Sequence, residues 1–218
     1  MKNEVDGRRE IASRNTAWAN IIARKLTHWG VTPNQISMMS VFFAMVGCLL
    51  LIGTVIYPGF NKYVAYILFI VCMQSRLLCN LFDGMVAIEG GKKSANGDLY
   101  NDMPDRFADA LFIIPVGYVA GGFGIELGWL AALLAVMTAY CRWIGAYKTH
   151  QHFFNGPMAK QHRMALLTLT FVVATCIIYS GYDRMVCFIA LIIINIGLIA
   201  TLIHRLYLIS HTTKTEIK

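Results

Sequence analysis

Uncharged apolar runs recur along the chain at 35–57, at 63–75 continuing past Arg76 to 82, and at 110–125, 127–141, 164–182 and 185–203. With their flanks they approach the ~20 residues that carry a helix across the hydrocarbon of a bilayer. Backbone in lipid must satisfy its own donors and acceptors, and none of the runs alternates as a barrel strand would, so the pattern predicts helices. Extended to the flanking polar residues, the runs place six crossings at about 34–57, 63–88, 98–122, 126–147, 164–182 and 185–207. The expected fold class is all-α, an integral membrane six-transmembrane-helix bundle.

Ahead of the first run, Trp18, Ile21, Ile22, Leu26 and Trp29 recur at helical spacing, while Arg24, Lys25 and His28 take the other side. This predicts an N-terminal interfacial amphipathic helix over 16–29. Thr32, Pro33, Asn34 and Gln35 follow: an N-cap oxygen, a proline suited to the first helical position, and a Gln able to close a capping box. The first crossing is expected to start there. No internal repeat or long linker divides the chain, so 1–218 reads as one domain.

Composition agrees with a membrane class: 57% of residues are hydrophobic, only 14% are charged, and the mean hydropathy is +0.55. The polar, basic first 33 residues lack an apolar core with a small-residue cleavage site, and are expected to be retained rather than cleaved as a signal. With six alternating crossings, Lys62 and Arg184 alone among the basic residues fall opposite the N-terminus. The positive-inside rule then puts both termini in the cytoplasm. The net charge of +7 is explained by that rule and by attraction to anionic lipids, so no nucleic-acid partner is expected. All six cysteines lie in apolar runs without a CxxC pair and read as small core residues. His150 and His152 form an HxH pair without carboxylate or Cys partners nearby, and are assigned no metal.

The chemistry gathers between 83 and 109. Six of the twelve acidic residues (Asp83, Glu89, Asp98, Asp102, Asp105 and Asp109) occur in this one stretch, at the junction of the second and third crossings. A charge at the membrane interior costs ~3 kcal/mol on the insertion scale, so a cluster bordering it is a functional hypothesis, against the plainer reading of a solvated loop. Helical spacing puts Arg76, Asn80, Asp83, Gly84 and Ala87 on one face of the second crossing. A helix running from Gly97 would put Asp98, Asn101, Asp102, Asp105 and Asp109 on one face of the third. Pro104 leaves two courses open there, a kinked helix or a late helix start. Arg76, at helix depth, is expected to pair with an acidic residue or to snorkel toward headgroups. Clustered carboxylates ionise together only where cations neutralise them, and oxygen ligands suit Mg²⁺, Mn²⁺ or Ca²⁺. Mg²⁺ recruits substrate phosphates, which directs the expectation toward phosphoryl chemistry.

The segment NLFDGMVAIEGGKKSANGDLYNDMPD, from Asn80 to Asp105, resembles the signature of the CDP-alcohol phosphotransferases. That signature runs Asp, two residues, Asp-Gly, two residues, Ala-Arg, eight residues, Gly, three residues, Asp, three residues, Asp. Asp83, Gly84, Ala87, Gly97 and Asp105 match in identity, while Asn80 and Asn101 replace the first and third Asp and Ile88 replaces the Arg. The chain resembles a divergent bacterial branch of the family. The resemblance implies a divalent-metal-dependent transferase of phospholipid biosynthesis. It would take CDP-diacylglycerol or another CDP-linked donor and an alcohol acceptor, release CMP, and act as a homodimer of the bacterial inner membrane with its active site cytoplasmic. It implies Asp105 as catalytic base, Asn80, Asp83, Asn101 and Asp105 around one or two Mg²⁺ or Mn²⁺ ions, and Asn80, Asp83, Gly84, Ala87 and Gly97 around the nucleotide. Two lost carboxylates weaken divalent binding and reduce the ions toward one, with Glu89, Asp98 or Asp102 as candidates to restore charge.

A basic stretch with Lys160, His162 and Arg163, together with Arg142, stands where several family members hold a phosphorylated acceptor; a positive-inside lipid anchor is the competing reading. Arg142 and Arg163 are favoured, because guanidinium grips phosphate in a fork. Two other classes stay open: a catalytically weakened scaffold that binds nucleotide or lipid, and a small transporter, for which no inverted repeat is evident.

Overall fold

The computed structural model describes residues 16–89, 97–149 and 153–216. Helix α1 spans Ala17–His28, α2 Pro33–Ile56, α3 Lys62–Glu89, α4 Gly97–Ala120, α5 Gly124–Thr149, α6 Lys160–Cys176 and α7 Asp183–Glu216, with a 3-10 turn at Ile178–Ser180. Four of these, α2, α3, α5 and α7, are long and apolar enough to cross a membrane. The last two predicted crossings differ most at their ends. Helix α6 stops at Cys176 and gives way to the 3-10 turn and Gly181 at φ +75°, and α7 continues past 207 to Glu216.

Local sequence accounts for the helix starts. The Thr32 hydroxyl accepts from the Gln35 amide at 3.3 Å, and the Gln35 side chain accepts from the Thr32 amide at 2.9 Å, closing a capping box with Pro33 in the first turn. Helix α4 is helical from Gly97 through Pro104 and Pro115, so the late start is not taken and Asn101 stands on the helix. Helix α1 lays Ala19 and Ala23 on α3, beside Leu81, Phe82, Met85 and Val86, and sets Trp18 edge-on to Phe82 at 6.1 Å. Its Ile21 and Ile22, and Trp29 just past its end, stay exposed, a surface suited to an interfacial helix.

Helix α2 packs on both α3 and α4, α4 on α5 and α7, and α6 on α3 and α7. The helices thus form a ring in which α3 and α4 face one another mainly through side chains. At the core, Phe69 and Phe112 meet at 5.5 Å, and Tyr66 meets Phe171 edge-on at 5.0 Å. At the end where α3 begins, the Tyr66 hydroxyl donates to Asp183 at 2.8 Å and Lys62 stands 3.8 Å from the same oxygen, tying α3 to α7. The cysteines are all free thiols; Cys72, Cys141 and Cys187 are buried, whereas Cys176 is exposed rather than in the core.

Gly117 and Gly128 let α4 and α5 close on each other. A Cβ at Gly117 would stand 2.5 Å from the Gly124 carbonyl oxygen, a backbone atom that cannot yield. Gly117→Ala is therefore expected to lower unfolding free energy by ~1–3 kcal/mol. Gly59→Ala, where a Cβ meets nothing within 4 Å, should be close to neutral. Thermal unfolding of the detergent-solubilised protein measures both.

Candidate functional site

The charged side chains that sequence places on α3 and α4 meet in the ring's interior. Arg76, 0% exposed in the middle of α3, reaches across to α4 and donates through one nitrogen to Asp105 at 3.1 Å and to Asp109 at 2.8 Å. Asp105 and Asp109 are four residues apart, hence stacked on one helix face. From α6, Arg163 donates to the other oxygen of Asp109 at 2.7 Å, and Lys160 donates to the other oxygen of Asp105. One continuous ionic network therefore joins α3, α4 and α6. Arg106 adds a looser charge, 3.8 Å from Asp105.

Asp83 stands one helical turn beyond Asn80 on α3. Its carboxylate is buried and accepts the Ser37 hydroxyl of α2 at 3.1 Å, and it lies within electrostatic reach of Asp105 and Lys160. No cation forms an ion pair with it among the described residues. Gly84 is buried beside it and Ala87 half-buried one turn on. The Asn80 amide nitrogen is buried without a hydrogen-bond partner, a donor facing an acceptor that the protein does not supply.

The loop leading into α6 is fastened from behind. Arg205 of α7 donates to the carbonyls of Phe154 at 3.2 Å, Asn155 at 3.0 Å and Thr138 at 2.6 Å. The Met158 amide donates to the Thr201 hydroxyl at 2.9 Å. Gly156, at φ +142°, lies so close to Thr201 that a Cβ would meet its Cγ2 at 2.4 Å, so glycine alone fits. These contacts deliver Lys160 and Arg163 to the α4 carboxylates.

The structure thus brings together Asn80, Asp83, Gly84, Asp105, Lys160 and Arg163. Arg142 lies to the side, bonded to Asp102, which also accepts from the Trp143 indole at 2.7 Å; Arg142 further covers the Phe154 ring at 5.4 Å. Asp102 therefore balances Arg142 rather than standing with Asp83. His162 is exposed. Gly97 and Asn101 take part in α4, but the side chain of Asn101, like those of Glu89 and Asp98, lies outside the described residues, as do His150 and His152. Arg76 pairs with carboxylates rather than snorkelling. Ser37, the pairing of Asp109 with Arg163, and Arg205 were not anticipated; an arginine near the end of the last predicted crossing was the available signal for Arg205.

Hard-ion chemistry needs carboxylate oxygens free of other cations. Among the described residues, no three Asp, Glu, His or Cys side chains gather as a ligand set. Both oxygens of Asp105 hold cations, while Asp83 has only neutral donors, from Ser37 and the Gly84 backbone, and lies one turn from the amide of Asn80. This set fits one hard divalent ion, on the Asp83 side, completed by water and substrate oxygens.

Fold and site together define an all-helical membrane protein with buried carboxylates and cations facing each other between α3, α4 and α6. Two solved structures of phosphatidylinositol phosphate synthase (PgsA1) from Mycobacterium tuberculosis share this fold. The one with CDP-DAG bound superposes with a TM-score of 0.71, covering 89% of this chain and 94% of that one at 14% identity. The one in complex with manganese and citrate gives 0.70, covering 90% and 89% at 15% identity. No family model matches this chain, and no curated protein matches its sequence.

Removing Arg76 would leave Asp109 buried with half its partners and Asp105 without its inner one. Arg76→Met is expected to cost ~3–5 kcal/mol of stability. Arg142→Met, in a pair that is partly exposed, should cost about 1 kcal/mol or less. Denaturation midpoints in mixed micelles compare the two.

Proposed function

We propose that the chain is a CDP-alcohol phosphotransferase, moving a substituted phosphate, phosphatidyl in the case of a CDP-diacylglycerol donor, to an alcohol and releasing CMP. The observation that carries this reading is the joining of α3 to α4 through Arg76 and Asp105, with the buried Asp83 on the same face of α3 as Arg76, at signature spacing, in a fold shared with an enzyme crystallised with CDP-DAG. In the reaction the acceptor oxygen bonds to the β-phosphorus as the bond from that phosphorus to the CMP oxygen breaks. A Mg²⁺ or Mn²⁺ ion, when bound, supplies Lewis-acid neutralisation of the diphosphate.

The residues divide the remaining work. Asp105 takes the acceptor hydroxyl's proton, since each carboxylate oxygen retains a second lone pair beside its cation. Asn80, Asp83 and Asn101 would hold the ion and diphosphate, with the unpartnered Asn80 amide donating to a phosphate oxygen. Gly84, Ala87 and Gly97 let the nucleotide approach the backbone. Lys160, with donors to spare beyond Asp105, would hold an acceptor phosphate, and Arg163, His162 and Arg142 are the further basic residues proposed for it. Positioning and charge stabilisation supply most of phosphoryl-transfer catalysis.

In this reading α4 and α6 complete six crossings, α1 lies in the interface, and both termini and the site face the cytoplasm of a bacterial inner membrane. The protein works as a homodimer among membrane lipids. A second reading, a scaffold that binds nucleotide without turnover, is favoured by one observation: Asp105 is held by two cations of the chain itself.

Purified protein given CDP-diacylglycerol, Mn²⁺ and a panel of alcohols is expected to release CMP with at least one acceptor. Asp105→Ala should lower the rate by about 10²-fold or more, the scale of losing a general base. No CMP release above the Asp105→Ala control with any acceptor would leave the scaffold reading.

A further inference from the structure

The two signature carboxylates that remain are in unlike surroundings. Asp105 has Arg76 on one oxygen at 3.1 Å and Lys160 on the other, with Arg106 at 3.8 Å. Arg76 cannot leave: it is 0% exposed and held a second time by Asp109 at 2.8 Å. Lys160 is held in place by the loop that Arg205 and Thr201 fasten. Asp83, by contrast, has only neutral donors, the Ser37 hydroxyl and the Gly84 backbone amide, and the buried Asn80 amide one turn away has no partner.

Charge decides what such a pair can hold. Where four carboxylates could balance two divalent ions, Asn at 80 and 101 leaves two. Two cations of the chain already balance the inner one of these, and a divalent ion placed there would meet both at close range. Mg²⁺ and Mn²⁺ need carboxylate charge to offset their dehydration, which only the Asp83 side still offers.

We infer that the Lys160 ammonium, backed by the Arg76 guanidinium, takes the place of one divalent ion beside Asp105, so that the site binds a single ion at Asp83. This rests on the transferase reading for its context, but concerns the chain's own charges. In function the consequence is that the substrates' phosphates meet one exchangeable ion and one fixed ammonium. The fixed charge needs no loading, and it reaches from α6 rather than from the α3 and α4 walls.

Mn²⁺ titration of the purified full chain in detergent, with free Mn²⁺ counted by its paramagnetic resonance signal, tests this directly. The wild type is expected to bind one ion per chain. Asn80→Asp with Asn101→Asp should still bind one, tightened about tenfold or more by the added charge. Adding Lys160→Met to that pair should raise the count to two, whereas adding Lys160→Arg, which keeps the charge, should leave it at one. Lys160 stands in the first turn of α6 with its side chain 27% exposed, and helix content by circular dichroism confirms that each variant folds. None or two ions in the wild type, two in the double Asp variant with Lys160 present, or one in the Lys160→Met triple variant overturns the inference. If the triple variant does not fold, the wild-type and double-variant counts still decide. CMP release from the same preparations separates the two readings: one ion without turnover removes the transferase and leaves the charge replacement, and turnover with two ions does the reverse.

Discussion

A guanidinium buried in the middle of a membrane helix has to be met by carboxylates, and the rest of the site is arranged around meeting it. Arg76 joins α3 to α4 through Asp105 and Asp109, and Arg163 and Lys160 extend the connection to α6. Helix α2 packs against both α3 and α4, and between those two helices the ion pairs stand beside the Phe69–Phe112 contact as the direct links. Such a network is weak support for net stability, since desolvation offsets much of its attraction; what it provides is a single register among three helices.

That register explains why the polar end of the bundle is built with so many backbone anchors. Arg205 and Thr201 hold the 153–159 segment by its carbonyls and amides, and Gly156 allows the contact with α7 that a side chain would prevent. The outcome is that two cations of α6 arrive at the carboxylates of α4 already oriented. At the opposite end, Asp183, Tyr66 and Lys62 tie α3 to α7, so the ring is closed by polar contacts at both ends of an aromatic core. Preorganisation of this kind suits chemistry in which fixed charge, rather than a reactive side chain, lowers the barrier.

How far the sequence revealed the site depended on the range of each interaction. The Thr32–Gln35 capping box and the amphipathic α1 are local, and both were readable from neighbouring residues. The shared face of Arg76, Asn80 and Asp83 followed from helical periodicity, and so did that of Asp105 and Asp109. Periodicity left open whether Pro104 starts a helix or sits inside one, because proline is tolerated in a first turn as well as at a kink; the structure carries the helix through it. Asp102 shares α4 with Asp105, and only the neighbouring helix shows that it faces Arg142 and Trp143 instead.

The sequence by itself determined that this is a helical membrane protein with two oxygen-rich helix faces at signature spacing, because hydrophobic runs and helical repeats act within one segment. Tertiary structure alone decided which cation meets which carboxylate: Arg76 and Lys160 on Asp105, Arg163 on Asp109, and none of these on Asp83. Those pairings join residues 29 to 55 positions apart. They depend on how ring-packed helices rotate and slide against one another, a property that no single segment carries.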